Sequence, residues 1–118
     1  MIPEHIIAFI RSAIRSIWGL EALVLMRAAP DRSWTAEGLT AALRGAVPLA
    51  EAILEGFVQA HITVREPDGA YRYAPDPQTA ALVDELIQIQ AATPLAVAKA
   101  ILLGNDKVQT FVDAFKFK

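Results

Sequence analysis

The sequence predicts a mainly α-helical single domain that carries one small antiparallel β-hairpin. Apolar residues recur at helical spacing along most of the chain. One stretch, ITVREPDGAYRYAP at 62–75, instead alternates and turns as a hairpin does. The length of 118 residues suits one domain, 1–118, able to bury one core without a staple. Cysteine is absent, which excludes disulfide frameworks and thiolate–metal sites. Apolar residues make up 54%, which implies either an alanine-rich core or surface buried against a partner.

The first helix is expected from about Pro3 to Ile17; the start, MIPEHIIAFIR, reads as a helix rather than a signal peptide, because Arg11 breaks its apolar run and it lacks a basic leader. Ile2, Ile6, Phe9, Ile10, Ala13 and Ile17 form one stripe, and Ile7, Ile14 and Trp18 a second beside it. Together they cover more than the ~100° that packs on one core. The second stripe is therefore expected to meet another copy of the chain, the alternative being a helix sunk among others of its own chain. Ser16 caps a second helix with Leu20, Leu23, Val24 and Ala28 inward, closed by Pro30-Asp31. Thr35 caps a third, with Trp34 stapled to Leu39, a buried stripe of Leu39, Ala42 and Leu43, and a left-handed end at Gly45.

Pro48 opens the fourth helix at its first position. Leu49, Ala52, Ile53, Gly56, Phe57 and Ala60 are expected inside, with Gly56 explained by close helix approach. That leaves Ala50, Glu51, Leu54, Glu55, Val58, Gln59 and His61 outside. In the hairpin, Pro67 and Asp68 form the centre of a type I turn. The expected register pairs Val64 with Tyr71, Thr63 with Arg72 and Ile62 with Tyr73. Asp76 starts a helix bearing Leu82, Val83, Leu86 and Ile87. Thr93-Pro94 starts another, with Leu95, Ala98, Ile101 and Leu102 inside and Gly104 as its stop. Asn105 or Asp106 begins a last helix with Val108, Phe111, Val112 and Phe115 on one face.

Helix, short turn, helix and a two-stranded ribbon ending in Y-R-Y-A-P resembles the winged helix-turn-helix superfamily of bacterial transcriptional regulators. Residues 17–75 carry the likeness, with the N-terminal helix and additional C-terminal helices flanking it. TAEGLTAALRG stands as the first helix of the motif, VPLAEAILEGFVQAH as the second and ITVREPDGAYRYAP as the wing. The resemblance implies a DNA-binding transcriptional regulator whose second helix enters the major groove, whose wing touches the backbone, and whose flanking helices pair two subunits. On that basis Arg44, Gln59, Arg65 and Arg72 are the candidate DNA contacts. Ile7, Ile14, Trp18, Phe111 and Phe115 are the candidate homodimer interface.

Charge opposes part of this expectation. The net charge is −2, and residues 35–75 hold Arg44, Arg65 and Arg72 against Glu37, Glu51, Glu55, Glu66 and Asp68. A nucleic-acid binder usually shows a basic stripe. The alternative is a winged-helix protein–protein interaction module that has lost sequence-specific DNA reading. It would dock through Leu54 and Val58 as apolar anchors, rimmed by Glu51 and Glu55.

No catalytic set is expected. His5 and His61 lack the neighbours of a triad or metal site and read as surface histidines. Glu51 and Glu55 share a helix face, but no third metal ligand is near in sequence. The glycines have no phosphate-cradling spacing, so no cofactor is expected. Trp18, Trp34, Tyr71 and Tyr73 are expected in the core rather than lining a ligand pocket. The longest uncharged run, Leu86 to Ala98, spans 13 residues. A membrane span needs ~18 or more apolar residues, so a cytoplasmic protein without membrane contact is the expectation.

Overall fold

The computed structural model describes residues 2–103. The expected last helix, with Phe111 and Phe115, lies outside the described residues, as does Gly104. What is described is mainly helical, with a small three-stranded antiparallel sheet.

Capping side chains set three of the described helix starts. Helix α1 (Glu4–Phe9) runs into a π-helical turn (Ile10–Ile14). Arg15 then turns left-handed at φ +62°, and Ser16 extends to cap α2 (Ile17–Ala28), its Oγ accepting from the Gly19 amide at 2.9 Å. One helix to Ile17 was expected; it stops at Ile14 because a residue that caps α2 cannot also sit inside α1. The two helices meet closely there. A Cβ on Gly19 would lie 2.4 Å from the Ile14 carbonyl oxygen.

After strand β1 (Ser33–Trp34), Thr35 caps α3 (Ala36–Leu43) by accepting from the Gly38 amide at 2.9 Å. The left-handed end falls at Arg44, φ +59°, and not at Gly45. Helix α4 (Val47–Gln59) follows, with Pro48 in its first turn but one position later than expected. Strands β2 (Thr63–Arg65) and β3 (Tyr71–Tyr73) form the hairpin. Asp76 caps α5 (Pro77–Ala92), accepting from the Thr79 amide at 2.7 Å, and α6 (Pro94–Leu103) completes the described chain.

The sheet departs from expectation in two ways. It has a third strand, since β1 pairs with β3 to give the order β1-β3-β2. The hairpin register is also shifted by one, with Thr63 opposite Tyr73, Val64 opposite Arg72 and Arg65 opposite Tyr71. The turn explains the shift. Pro67 and Asp68 are central, as expected, with the Gly69 amide donating to the Glu66 carbonyl at 2.9 Å. Gly69 then takes φ +89°, and the Glu66 amide donates to the Ala70 carbonyl at 2.7 Å. A type I turn followed by a left-handed glycine is a three-residue loop with a bulge, one residue longer than the loop assumed from sequence. Thr63 is thereby buried and Val64 exposed.

The core draws on all six described helices, with Trp34 of β1 and Ile62 before β2 joining it. Helix α4 contributes Ala50, Ile53, Leu54 and Phe57, and α2 contributes Leu20, Ala22, Leu23 and Met26. Val24 and Ala28, expected inside, are exposed, as is Ala42 on α3. On α5, Val83 and Leu86 are buried and Leu82 and Ile87 pack against them. On α6 the inward residues are Val97 and Ile101, while Leu95 and Leu102 point out, with α6 packed against α5, the π-turn and α2. No close approach explains Gly56, since no atom lies within 4 Å of where its Cβ would be.

The two glycines should therefore respond oppositely in urea denaturation. Gly19→Ala forces atoms onto a backbone carbonyl and should cost about 1–3 kcal/mol. Gly56→Ala gains helix propensity in open space and should stabilise by about 0.5–1 kcal/mol. A loss of stability at Gly56 would mean that its surroundings are not open.

Candidate functional site

Helix α4 presents Pro48, Glu51, Ala52, Glu55 and Gln59 to solvent. The core face is centred about 80° around the helix from the expected one, taking 3.6 residues per turn. Leu54 is 0% exposed, because it and Ala50 join Ile53 and Phe57 inside, while Ala52 has moved out. Val58 is half-buried. The expected docking patch thus keeps its carboxylates and loses its principal apolar anchor.

The β2–β3 ribbon lies against the C-terminal half of α4, and its arginines face acids. Arg65 donates to the Glu55 carboxylate on α4 and to the Tyr71 hydroxyl at 3.2 Å, its guanidinium 5.4 Å from the Tyr71 ring centroid. Arg72 Nε lies 3.6 Å from Glu66 Oε2, and the Ser33 hydroxyl donates to the same Glu66 carboxylate. Exposed pairs of this kind contribute about 0–1 kcal/mol each, so they neutralise the ribbon more than they stabilise it. Arg44 and Gln59 are exposed and have no side-chain partner among the described residues. Of the four candidate DNA contacts, two are therefore internally paired.

Sequence reasoning missed a cleft behind α4. The π-turn, α4 and the start of α5 border an open cleft of about 410 Å³, with Thr79 and the exposed Arg15, Ser12 and Gln59 among the lining residues. A smaller cleft of about 200 Å³ lies beside it, and the two share Ala13, Arg15 and Gly56. The capping signal at Ser16 hinted at a break after the first helix. No pattern in the sequence marks the π-turn that shapes the space.

The expected dimer face is divided. Ile14 is 3% exposed and belongs to the core, because the π-turn rotates it inward; it is not available to a second subunit. Ile7 is half-buried against the core, and Trp18 keeps 39% exposure. Larger apolar exposure lies on α6, at Leu95 with 69%, Leu102 and Leu103. Trp34, by contrast, is buried beneath the Arg32 guanidinium, 3.7 Å from the ring centroid.

Among the described residues no cluster of three His, Asp or Glu can hold a metal. His5 Nε2 instead meets Glu85 at 2.8 Å across α1 and α5, and His61 sits left-handed at φ +64° after α4. No single described helix is long and apolar enough to cross a membrane; α5 and α6 reach that length only as a pair bent by 118°. No family model matches the chain, and neither a curated protein nor a solved structure matches it.

Two titrating groups are shifted near the sheet. Burial, reinforced by Asp84, raises the Tyr73 hydroxyl above its ordinary pKa. The amide of Thr79, followed by its hydroxyl, holds the Asp76 carboxyl below the usual carboxylate range. A depressed carboxylate contributes stability above its unfolded pKa of about 3.9 and loses it as pH falls through the folded value. The melting-temperature gap between wild type and Asp76→Asn should thus be widest near neutrality and close in acid. A gap independent of pH would remove Asp76 as an ionised cap.

Proposed function

We propose that the chain is a winged-helix module of the bacterial transcriptional-regulator type that associates with DNA as a homodimer in the cytoplasm. The observation that carries this reading is the element order α2-β1-α3-α4-β2-β3 with sheet order β1-β3-β2, which leaves α4 with a free face between the Arg44 turn and the ribbon. Arg44 meets backbone phosphate from the turn before α4, and Arg65 and Arg72 do so once they exchange their carboxylates for phosphate. Base reading by α4 is slight. Gln59 is its one exposed amide, and it stands at the C-terminal end, whereas groove contacts usually come from the N-terminal end.

A second reading is favoured by the ion pairs. Glu55 and Glu66 neutralise both ribbon arginines, and Glu51 adds charge to the exposed face. A winged-helix module that docks a basic protein partner through Glu51 and Glu55 would need that arrangement. Either form pairs subunits through the exposed leucines of α6 and through Trp18.

Fluorescence anisotropy with a mixed-sequence duplex separates the readings. DNA association should be visible at low salt and weaken steeply as salt rises. Arg44→Ala should reduce it, and Glu55→Gln, by freeing Arg65, should tighten it severalfold. Absence of binding at about 20 µM protein and about 20 mM salt, where counterion release is most favourable, would leave the protein-docking reading. Light scattering on a sizing column checks the dimer separately. The expected mass is twice 12.8 kDa, falling to the monomer in Leu95→Asp/Leu102→Asp; a monomeric wild type at high concentration would refute it.

A further inference from the structure

We infer that the cleft beside Gly56 binds a small amphipathic monocarboxylate. Its size of about 410 Å³ falls within the range of small-molecule sites, and the adjoining 200 Å³ extends it past Gly56. Phe9, Ala13, Ala60 and Leu82 supply apolar wall. Arg15 is the one charged residue lining either part, in a chain that is acidic overall.

Arg15 differs from most other arginines here. Arg27, Arg65 and Arg72 each face a carboxylate, and Arg32 lies on Trp34. Arg15 has no such partner among the described residues, and the left-handed turn after the π-helical segment sets it at the cleft. A guanidinium recognises a carboxylate through paired N–H donors, and an apolar wall beside it selects a hydrophobic body. Gln59 adds a donor, and the Ser12 hydroxyl, which donates to the Phe9 carbonyl at 3.2 Å, keeps its acceptor side. A multiply charged phosphate ester would face a single cation and mostly carbon. The missing side chain at Gly56 has its own place in this scheme: any larger residue would occupy the space, at the point where the two parts join.

The inference does not rest on DNA binding, and its test contains no DNA. The probe is 1-naphthoate, titrated into the isotopically labelled full chain and followed by amide chemical shifts. Saturable shifts centred on Ser12, Gly56 and Gln59 are expected. The neutral analogue 1-naphthamide should bind about tenfold or more weakly, as loss of a charge-assisted pair implies. Arg15→Gln should weaken naphthoate by a similar factor. Gly56→Val should abolish the shifts while circular dichroism shows an intact fold. Equal affinity for acid and amide, unchanged binding in Arg15→Gln, shifts centred elsewhere, or no saturation to about 10 mM, tenfold weaker than millimolar affinity, would each overturn it.

Discussion

The surface chemistry of this protein depends on how α4 is seated. Ala50, Ile53, Leu54 and Phe57 lie on one arc of the helix, and all four are buried. Burying side chains of this size contributes about 1.5–3 kcal/mol for each large one, far more than any exposed pair can return. The seating therefore decides what is left outside, and the remainder is small and acidic: Pro48, Glu51, Ala52, Glu55 and Gln59. From that orientation Glu55 reaches Arg65 on β2. The neutrality of the ribbon follows from apolar packing on the opposite side of the helix.

A second close contact shapes the other half of the molecule. Gly19 lets the first turn of α2 abut the Ile14 carbonyl, and the chain accommodates this with a π-turn and a left-handed Arg15. A left-handed residue with a Cβ costs about 1–2 kcal/mol, so packing must hold it. Ile10, Ala13 and Ile14 are all buried in that turn. π-turns recur where function draws on local irregularity. Here the irregularity lets Ile14 turn inward while Arg15 remains at the cleft.

What was legible in the sequence was chiefly the N-terminal capping and the centre of the hairpin turn. Ser16, Thr35 and Asp76 cap helices as their side chains predict, and Pro67-Asp68 make the expected turn. Rotation about a helix axis was harder. Helix α4 has apolar or small residues at Leu49, Ala50, Ala52, Ile53, Leu54, Gly56, Phe57 and Val58, so several arcs fit, and tertiary contact selects among them. The hairpin register turned on a single conformational choice at Gly69. A two-residue strand at Ser33–Trp34 carries no periodicity, so only its pairing with β3 defines it. The cleft had no signature, because it is made by absence: a glycine and two alanines where three elements meet.

The same ion pairs that weaken one functional reading also define its terms. At 4 Å and an effective dielectric constant of about 20, opposite charges attract by about 4 kcal/mol before solvation is counted, and measured exposed pairs retain only about 0–1. Phosphate can therefore displace Glu55 from Arg65 at small net cost, provided that the carboxylate then turns to water. Glu55 is exposed, so that path is open. The pairing thus removes attraction without building a wall, and on the DNA-binding reading affinity would be set by how many cations a dimer could bring to the backbone together. Arg44 would be the unpaired contributor on that reading, since its left-handed backbone places it in the turn between α3 and α4. On the DNA-binding reading the ribbon arginines would contribute only in exchange, which would make association weaker and less steeply dependent on salt than a surface of free arginines, because salt also loosens the pairs being exchanged.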